Sequence, residues 1–206
     1  MTLLEHIKDI KPAISVNNDF LFFFNGKVAT QSSVRTALKG MVFVSKIKRT
    51  KYKSVLDSYS LSDIKRMFKF TIVRNPWDRV VSGFFFFQQR RRRNYRFIGK
   101  NETFNKFVKT RLLECGIGMN KYIKDHFGFQ HPKVMFKGNV FVDFIGRLES
   151  IERDWKIISS AIGCSPDFPH INKSNRGHYR DYYDDETRDI IADIYATDIE
   201  LFGYEF

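Results

Sequence analysis

FTIVRNPWDRVVSGF, Phe70 to Phe84, changes character at its fifth residue. The apolar run Phe68–Val73 is short, ends at a charge and reads as a buried strand. Asn75 then has the side chain of a helix N-cap. Pro76 suits the first helical position, and Asp78 in the first turn meets the positive end of the helix dipole. Val80, Val81 and Phe84 fall within the helix that follows. Arg74 closes the strand, and Ser82 lies seven positions beyond the cap, roughly 10 Å along the axis at ~1.5 Å per residue. A long arginine reaching along the helix could share one phosphate with that hydroxyl, a charged fork beside a neutral donor. Equally, Arg74 could pair with a carboxylate and Ser82 be a small residue at a packing face. This stretch alone leaves both open.

Upstream, FFFNGKVATQSSVRTAL, Phe22 to Leu38, has the same order of strand, loop and helix. Phe20–Phe24 reads as a buried strand. A helix starting at Ser32 or Ser33 would carry Val34, Ala37, Leu38 and Met41 on one face. Between them lie Lys27, Thr30, Gln31, Ser32 and Ser33, the types that grip an anionic oxygen through a mobile charge, side-chain donors and free backbone N–H groups. The loop is not that of a nucleotide kinase. That motif needs Ser or Thr directly after the lysine to ligate magnesium, and a glycine five residues upstream. Here Val28 follows Lys27, and Leu21 stands five residues before Gly26. An ordinary strand-to-helix turn with polar caps is the competing reading.

Thr103–Leu113 reads as a further helix and Val140–Ile145 as a third buried strand. Ser150 can cap a helix whose Ile151, Trp155, Ile158 and Ile162 share a face, ending at Gly163. Asp184 or Asp185 opens a last helix with Ile190, Ile191, Ile194 and Tyr195 turned inward. Strands alternating with helices predict an α/β fold, with a central, mostly parallel sheet flanked by helices. No repeat or linker divides the 206 residues, so one domain, 1–206, is expected. Hydrophobic residues make up 43% and 22 are Phe, enough for a substantial core.

The formal net charge of +12 predicts anionic partners: nucleotide phosphates, nucleic acid, acidic glycans or a membrane surface. QQRRRRNYR, Gln88 to Arg96, concentrates that charge, with Arg90, Arg91, Arg92 and Arg93 in succession. It is either a solvated loop or a landing strip for an acidic polysaccharide or nucleic acid. Cys115 and Cys164 form no CxxC pair, which argues against a disulfide framework or structural zinc. The first residues, MTLLEHIKDIKPAIS, mix charges with apolar side chains and hold no signal peptide or membrane span. A cytoplasmic protein is expected of the chain as given, and a membrane-associated enzyme trimmed of its anchor would read the same way.

Two anion-gripping segments in one α/β domain imply a ligand with two separated anionic groups. At these segments the chain resembles the carbohydrate sulfotransferases that use 3′-phosphoadenosine 5′-phosphosulfate (PAPS). NGKVATQSS is similar to their 5′-phosphosulfate loop. VRNPWDRVVSGF is similar to their 3′-phosphate motif, including the eight-residue step from arginine to serine. The likeness continues in VDFIGRLESIERDW (142–155) and from His170 to the FGYEF ending, and is missing over roughly 46–66 and 88–101. It implies a P-loop NTPase-like sulfotransferase fold, PAPS as co-substrate, adenosine 3′,5′-bisphosphate as product and no metal. The nucleotide would be held by Lys27, Val28, Ala29, Thr30, Gln31, Ser32, Ser33, Arg74, Ser82 and Arg176. Of these, Lys27 would stabilise charge on the leaving oxygen, and Arg74 and Ser82 would hold the 3′-phosphate.

The first loop departs from the commoner Pro-Lys-Thr-Gly or Cys-Thr versions, which leaves open which of Thr30, Gln31, Ser32 and Ser33 touches the sulfonate. HFGFQ, His126 to Gln130, resembles the family's His-Phe-x-Pro-Gln segment with Phe129 in place of Pro. That makes His126 the candidate general base, since histidine titrates near neutrality. His131, Glu149 and His170 are alternatives. Asn172 and Ser174 resemble positions near the nucleotide or acceptor in relatives, and Arg147 and Glu149 would either shape the site or pair with each other. The implied acceptor is a carbohydrate or other hydroxyl compound, possibly acidic. The rival reading is a basic protein that binds nucleic acid or an acidic glycan without catalysis. No recognisable nucleic-acid motif supports it, and the aromatics sit in apolar runs rather than among the basic residues.

Overall fold

The computed structural model describes residues 1–10, 12–15, 19–28, 33–39, 43–44, 58–89, 97–112, 121–169 and 176–206. These fall into two compact units. The first is drawn from Met1–Asn25, Ala29–Val73 and Pro132–Asn172, and the second from Gly26–Val28, Arg74–His131 and Lys173–Phe206.

The first unit is α/β. Its helices are α1 (Leu3–Ile10), the short α2 (Arg35–Ala37), α3 (Leu61–Arg66) and α7 (Ile151–Ile162). Its five-stranded sheet comprises β1 (Ala13–Ser15), β2 (Phe20–Phe23), β3 (Phe43–Val44), β4 (Phe68–Val73) and β7 (Phe144–Arg147), in the order β3-β1-β2-β4-β7. β2, β4 and β7 run parallel, whereas β1 pairs antiparallel with both β2 and β3. The sheet is therefore mixed rather than mostly parallel. Only four residues separate β1 from β2, enough for a reversal but too few for the crossover that parallel pairing requires.

Both faces of the sheet are covered. Leu21 and Phe23 pack with Ile14, Ile7 of α1, and Ile64 and Met67 at α3. On the opposite face Phe22 stacks on Phe70 with ring centres 4.8 Å apart. Gly146 of β7 lets Ile158 of α7 approach to 3.3 Å of the place a Cβ would take.

The expected strands Phe20–Phe24 and Phe68–Val73 are present as β2 and β4. The run Val140–Ile145 is not one strand. Asn139–Val140 is β6, paired antiparallel with β5 (Met135–Phe136), and β7 starts only at Phe144. The break is Asp143, whose carboxylate accepts from the Lys69 N–H at 2.7 Å and pairs with the Lys69 ammonium at 2.8 Å. The helix after Ser150 runs to Ile162 and ends at left-handed Gly163, as expected. Ser150 does not cap it, because its hydroxyl donates to Asp154 instead.

The second unit is helical among its described residues. It contains α4 (Pro76–Gln88), α5 (Phe104–Thr110), α6 (Lys121–Phe127), α8 (Asp185–Ile194), α9 (Ala196–Phe202) and a 3-10 turn at Tyr179–Tyr182. α4 starts as the sequence predicts: Asn75 Oδ1 accepts from the N–H groups of Trp77 and Asp78, with Pro76 first in the helix. Thr103 caps α5, and Asp184 opens α8 in a reciprocal box with Thr187. The C-terminal segment fastens the start of α4. Asn75 Nδ2 donates to the Glu205 carbonyl at 2.8 Å, Trp77 Nε1 to the Arg188 carbonyl at 3.0 Å, and the Tyr183 hydroxyl to the Trp77 carbonyl at 2.9 Å. Among the described residues no helix is long and apolar enough to cross a membrane.

Candidate active site

The candidate site lies within the second unit, along one face of α4. Asp78, Ser82 and Phe86 are spaced by four and so project from the same side of that helix, one turn apart. At the Asp78 end, Arg74 Nε and Nη2 both donate to Asp78 Oδ2, at 3.0 and 2.8 Å. Arg176 reaches the other carboxylate oxygen through Nη2. Burial alone would raise the Asp78 carboxyl. The charge of Arg74, with the hydrogen bond and charge of Arg176, outweighs that, and the pKa ends below its ordinary value. Asp78 is thus an anion clasped by two guanidinium groups.

The same Arg74 side chain reaches the first loop: its Nη1 donates to the Lys27 carbonyl at 2.9 Å. Lys27 has φ of 65°, a left-handed backbone that costs a lysine about 1 kcal/mol relative to ordinary conformations. Its ammonium sits 4.4 Å from the centre of the Phe86 ring, at the far end of the Asp78–Ser82–Phe86 face. His126 of α6 stacks on the same Phe86 ring at 4.6 Å and 23°. Ser82, half-buried, lies one helical turn from each of Asp78 and Phe86, the residues that Arg74 and Lys27 contact.

Arg79 faces another way and is 1% exposed. Its Nε donates to the Gly26 carbonyl at 3.0 Å, and its Nη1 is buried with no hydrogen-bond partner among the described residues. Burial lowers its pKa, opposed by the charges of Tyr195 and Asp198. Consecutive carbonyls of the loop, Gly26 and Lys27, are therefore each held by an arginine at the start of α4.

Lys27, Arg74, Arg176 and, through Phe86, His126 are brought together. Ser82 shares their helix face, and Val28 is buried in the same unit. Ser33 is buried in the first unit, as part of the short turn before α2. Arg147 and Glu149 also belong to the first unit, where the Arg147 N–H donates to Asp154 at 2.8 Å. His131 pairs through Nδ1 with Asp198 at 2.7 Å. Ala29, Thr30, Gln31, Ser32, the Arg90–Arg93 run, Cys115, His170, Asn172 and Ser174 lie outside the described residues. Among those described, no group of three or more His, Cys, Asp or Glu is placed to hold a metal ion.

A family model described as the sulfotransferase family matches residues 16–205. The chain belongs to the sulfotransferase family. None of the curated proteins and none of the solved structures matches it significantly. Members of this family transfer a sulfuryl group and generally take it from PAPS, so the protein is a transferase acting on a hydroxyl acceptor. Asp78, Phe86 and Arg79 are the parts of this candidate site that residue type alone does not point to. From sequence Asp78 is accounted for by its place in the first turn of the helix, and Phe86 is one residue of an apolar run. The four-residue spacing of Asp78, Ser82 and Phe86 was the signal available.

Proposed function

We propose that the protein transfers the sulfuryl group of PAPS to a hydroxyl of a carbohydrate. The observation that supports this reading is the Arg74 hydrogen bond to the Lys27 carbonyl at 2.9 Å, a contact between residues of the two segments expected to grip anions. Arg74 and Ser82 hold the 3′-phosphate, with Arg176 beside them. A phosphate arriving there competes with Asp78 for two guanidinium groups, each still offering further donors. Lys27 and Val28, with Ala29, Thr30, Gln31, Ser32 and Ser33, are the candidates to bind the 5′-phosphosulfate.

In the reaction the acceptor oxygen attacks sulfur, and the bond from sulfur to the bridging phosphate oxygen breaks in line. The 5′-phosphate leaves carrying the negative charge that Lys27 stabilises. His126 takes the acceptor proton. Holding PAPS on these residues requires no metal, and the chain forms one catalytic domain with a P-loop-like arrangement of strand, loop and helix.

Incubation with sulfur-labelled PAPS and a panel of neutral and acidic oligosaccharides tests this. Label should move to at least one acceptor. His126→Ala should lower that transfer by about 10²–10⁴-fold while leaving PAPS affinity within about twofold. Tight nucleotide binding with no transfer to any hydroxyl compound would instead favour a protein that binds without catalysis.

A further inference from the structure

The Arg74 side chain is held by Asp78 and the Lys27 carbonyl, but its backbone is held by something else. Arg74 lies past the last strand residue, Val73, and before the cap, Asn75, so neither ladder nor helix takes up its peptide groups. Gln130 does so. The Arg74 N–H donates to Gln130 Oε1 at 3.0 Å, and Gln130 Nε2 donates to the Arg74 carbonyl at 2.9 Å. One side-chain amide thereby imitates a neighbouring strand residue. Its orientation is fixed by chemistry, because the N–H can be met only by the amide oxygen and the carbonyl only by the amide nitrogen.

Gln130 is itself immobilised. It is wholly buried, as is Asp198 of α9. Asp198 Oδ2 accepts from the Gln130 N–H, and Oδ1 from the His131 N–H, both at 2.8 Å. His131 Nδ1 lies 2.7 Å from Oδ1 and completes the carboxylate's set of partners.

We propose that Gln130, locked by Asp198, is a positioning residue for Arg74, setting the height at which its guanidinium meets the donor nucleotide's 3′-phosphate. This rests on the reading of Arg74 as the 3′-phosphate ligand. An arginine pivots on its Cα, so a shift of the peptide by even an ångström moves the fork off its phosphate and costs binding steeply. A residue that merely filled the core would have no preference for one nucleotide over another. Gln130 acts only through a group that touches the 3′-phosphate.

Calorimetric titration with adenosine 3′,5′-bisphosphate and with 5′-AMP separates the two roles. Gln130→Met keeps the volume and removes both hydrogen bonds. It should weaken bisphosphate binding about tenfold and leave 5′-AMP binding unchanged. In an Arg74→Ala background the same change should add nothing. Gln130→Glu is the second variant, for the case that methionine is not tolerated. At neutral pH it keeps the acceptor for the Arg74 N–H and loses the donor to the carbonyl. Its defect, taken against the parent protein at each pH, should shrink as the carboxyl protonates and regains an O–H. Equal weakening of both nucleotides, no weakening, or full additivity with Arg74→Ala would each overturn the positioning role. If Arg74→Ala alone leaves bisphosphate affinity untouched, the phosphate-site reading has failed, and the role of Gln130 fails with it.

Discussion

Lys27→Ala is expected to lower the rate of sulfuryl transfer by about 10²–10³-fold, with PAPS affinity falling far less. Removing a preorganised donor aimed at charge that develops in the transition state typically has an effect of that size on kcat. The geometry supplies the preorganisation. The Lys27 carbonyl is tied to Arg74 at 2.9 Å, the residue is held left-handed at φ 65°, and the ammonium rests on Phe86 beside His126. Lys27→Arg should recover little, because a planar fork on a longer stem cannot occupy the same point. Single-turnover kinetics with PAPS in excess over KM checks this directly. A single-turnover rate within about threefold of the parent would remove Lys27 from the role.

Gly26→Ala should be the most disruptive substitution in the loop. A Cβ at Gly26 would fall 1.6 Å from the Asp125 carbonyl oxygen and 2.6 Å from its carbon, both backbone atoms of α6 that cannot swing aside. The loop or the helix must move, and overpacking of this kind costs about 3 kcal/mol. For a chain of this size that corresponds to a fall in Tm of about 6–12 °C. The shift also carries the Gly26 and Lys27 carbonyls away from Arg79 and Arg74, so nucleotide binding should drop together with stability. Thermal melts with and without adenosine 3′,5′-bisphosphate would show both effects. An unchanged Tm would mean that the loop does not lie against α6.

The start of α4 was legible because Asn75, Pro76 and Asp78 act on their immediate neighbours, where side-chain chemistry and backbone geometry determine each other. β2 and β4 were legible because their apolar runs are bounded by polar residues. The mixed character of the sheet was not. β1 is only Ala-Ile-Ser, too short to show a period, yet its antiparallel pairing decides the class of the sheet.

Val140–Ile145 was misread because its apolar residues look continuous. The interruption at Asp143 is caused by Lys69, 74 positions away. In the candidate site Lys27, Arg74 and Ser82 stood out through residue type and loop context. The parts that hold them, Asp78 taking Arg176 and Gln130 taking Asp198, depend on pairings across 98 and 68 positions that no local pattern encodes.

In the proposed reaction one nucleotide is gripped at both ends. Isothermal titration of adenosine 3′,5′-bisphosphate, 5′-AMP and ATP against the intact chain tests this most directly. With Arg74, Arg176 and Ser82 at the 3′-phosphate, the bisphosphate should bind roughly 10–100-fold more tightly than 5′-AMP, and more tightly than ATP with or without magnesium. Equal affinity for bisphosphate and 5′-AMP, or a magnesium-dependent preference for ATP, would contradict it.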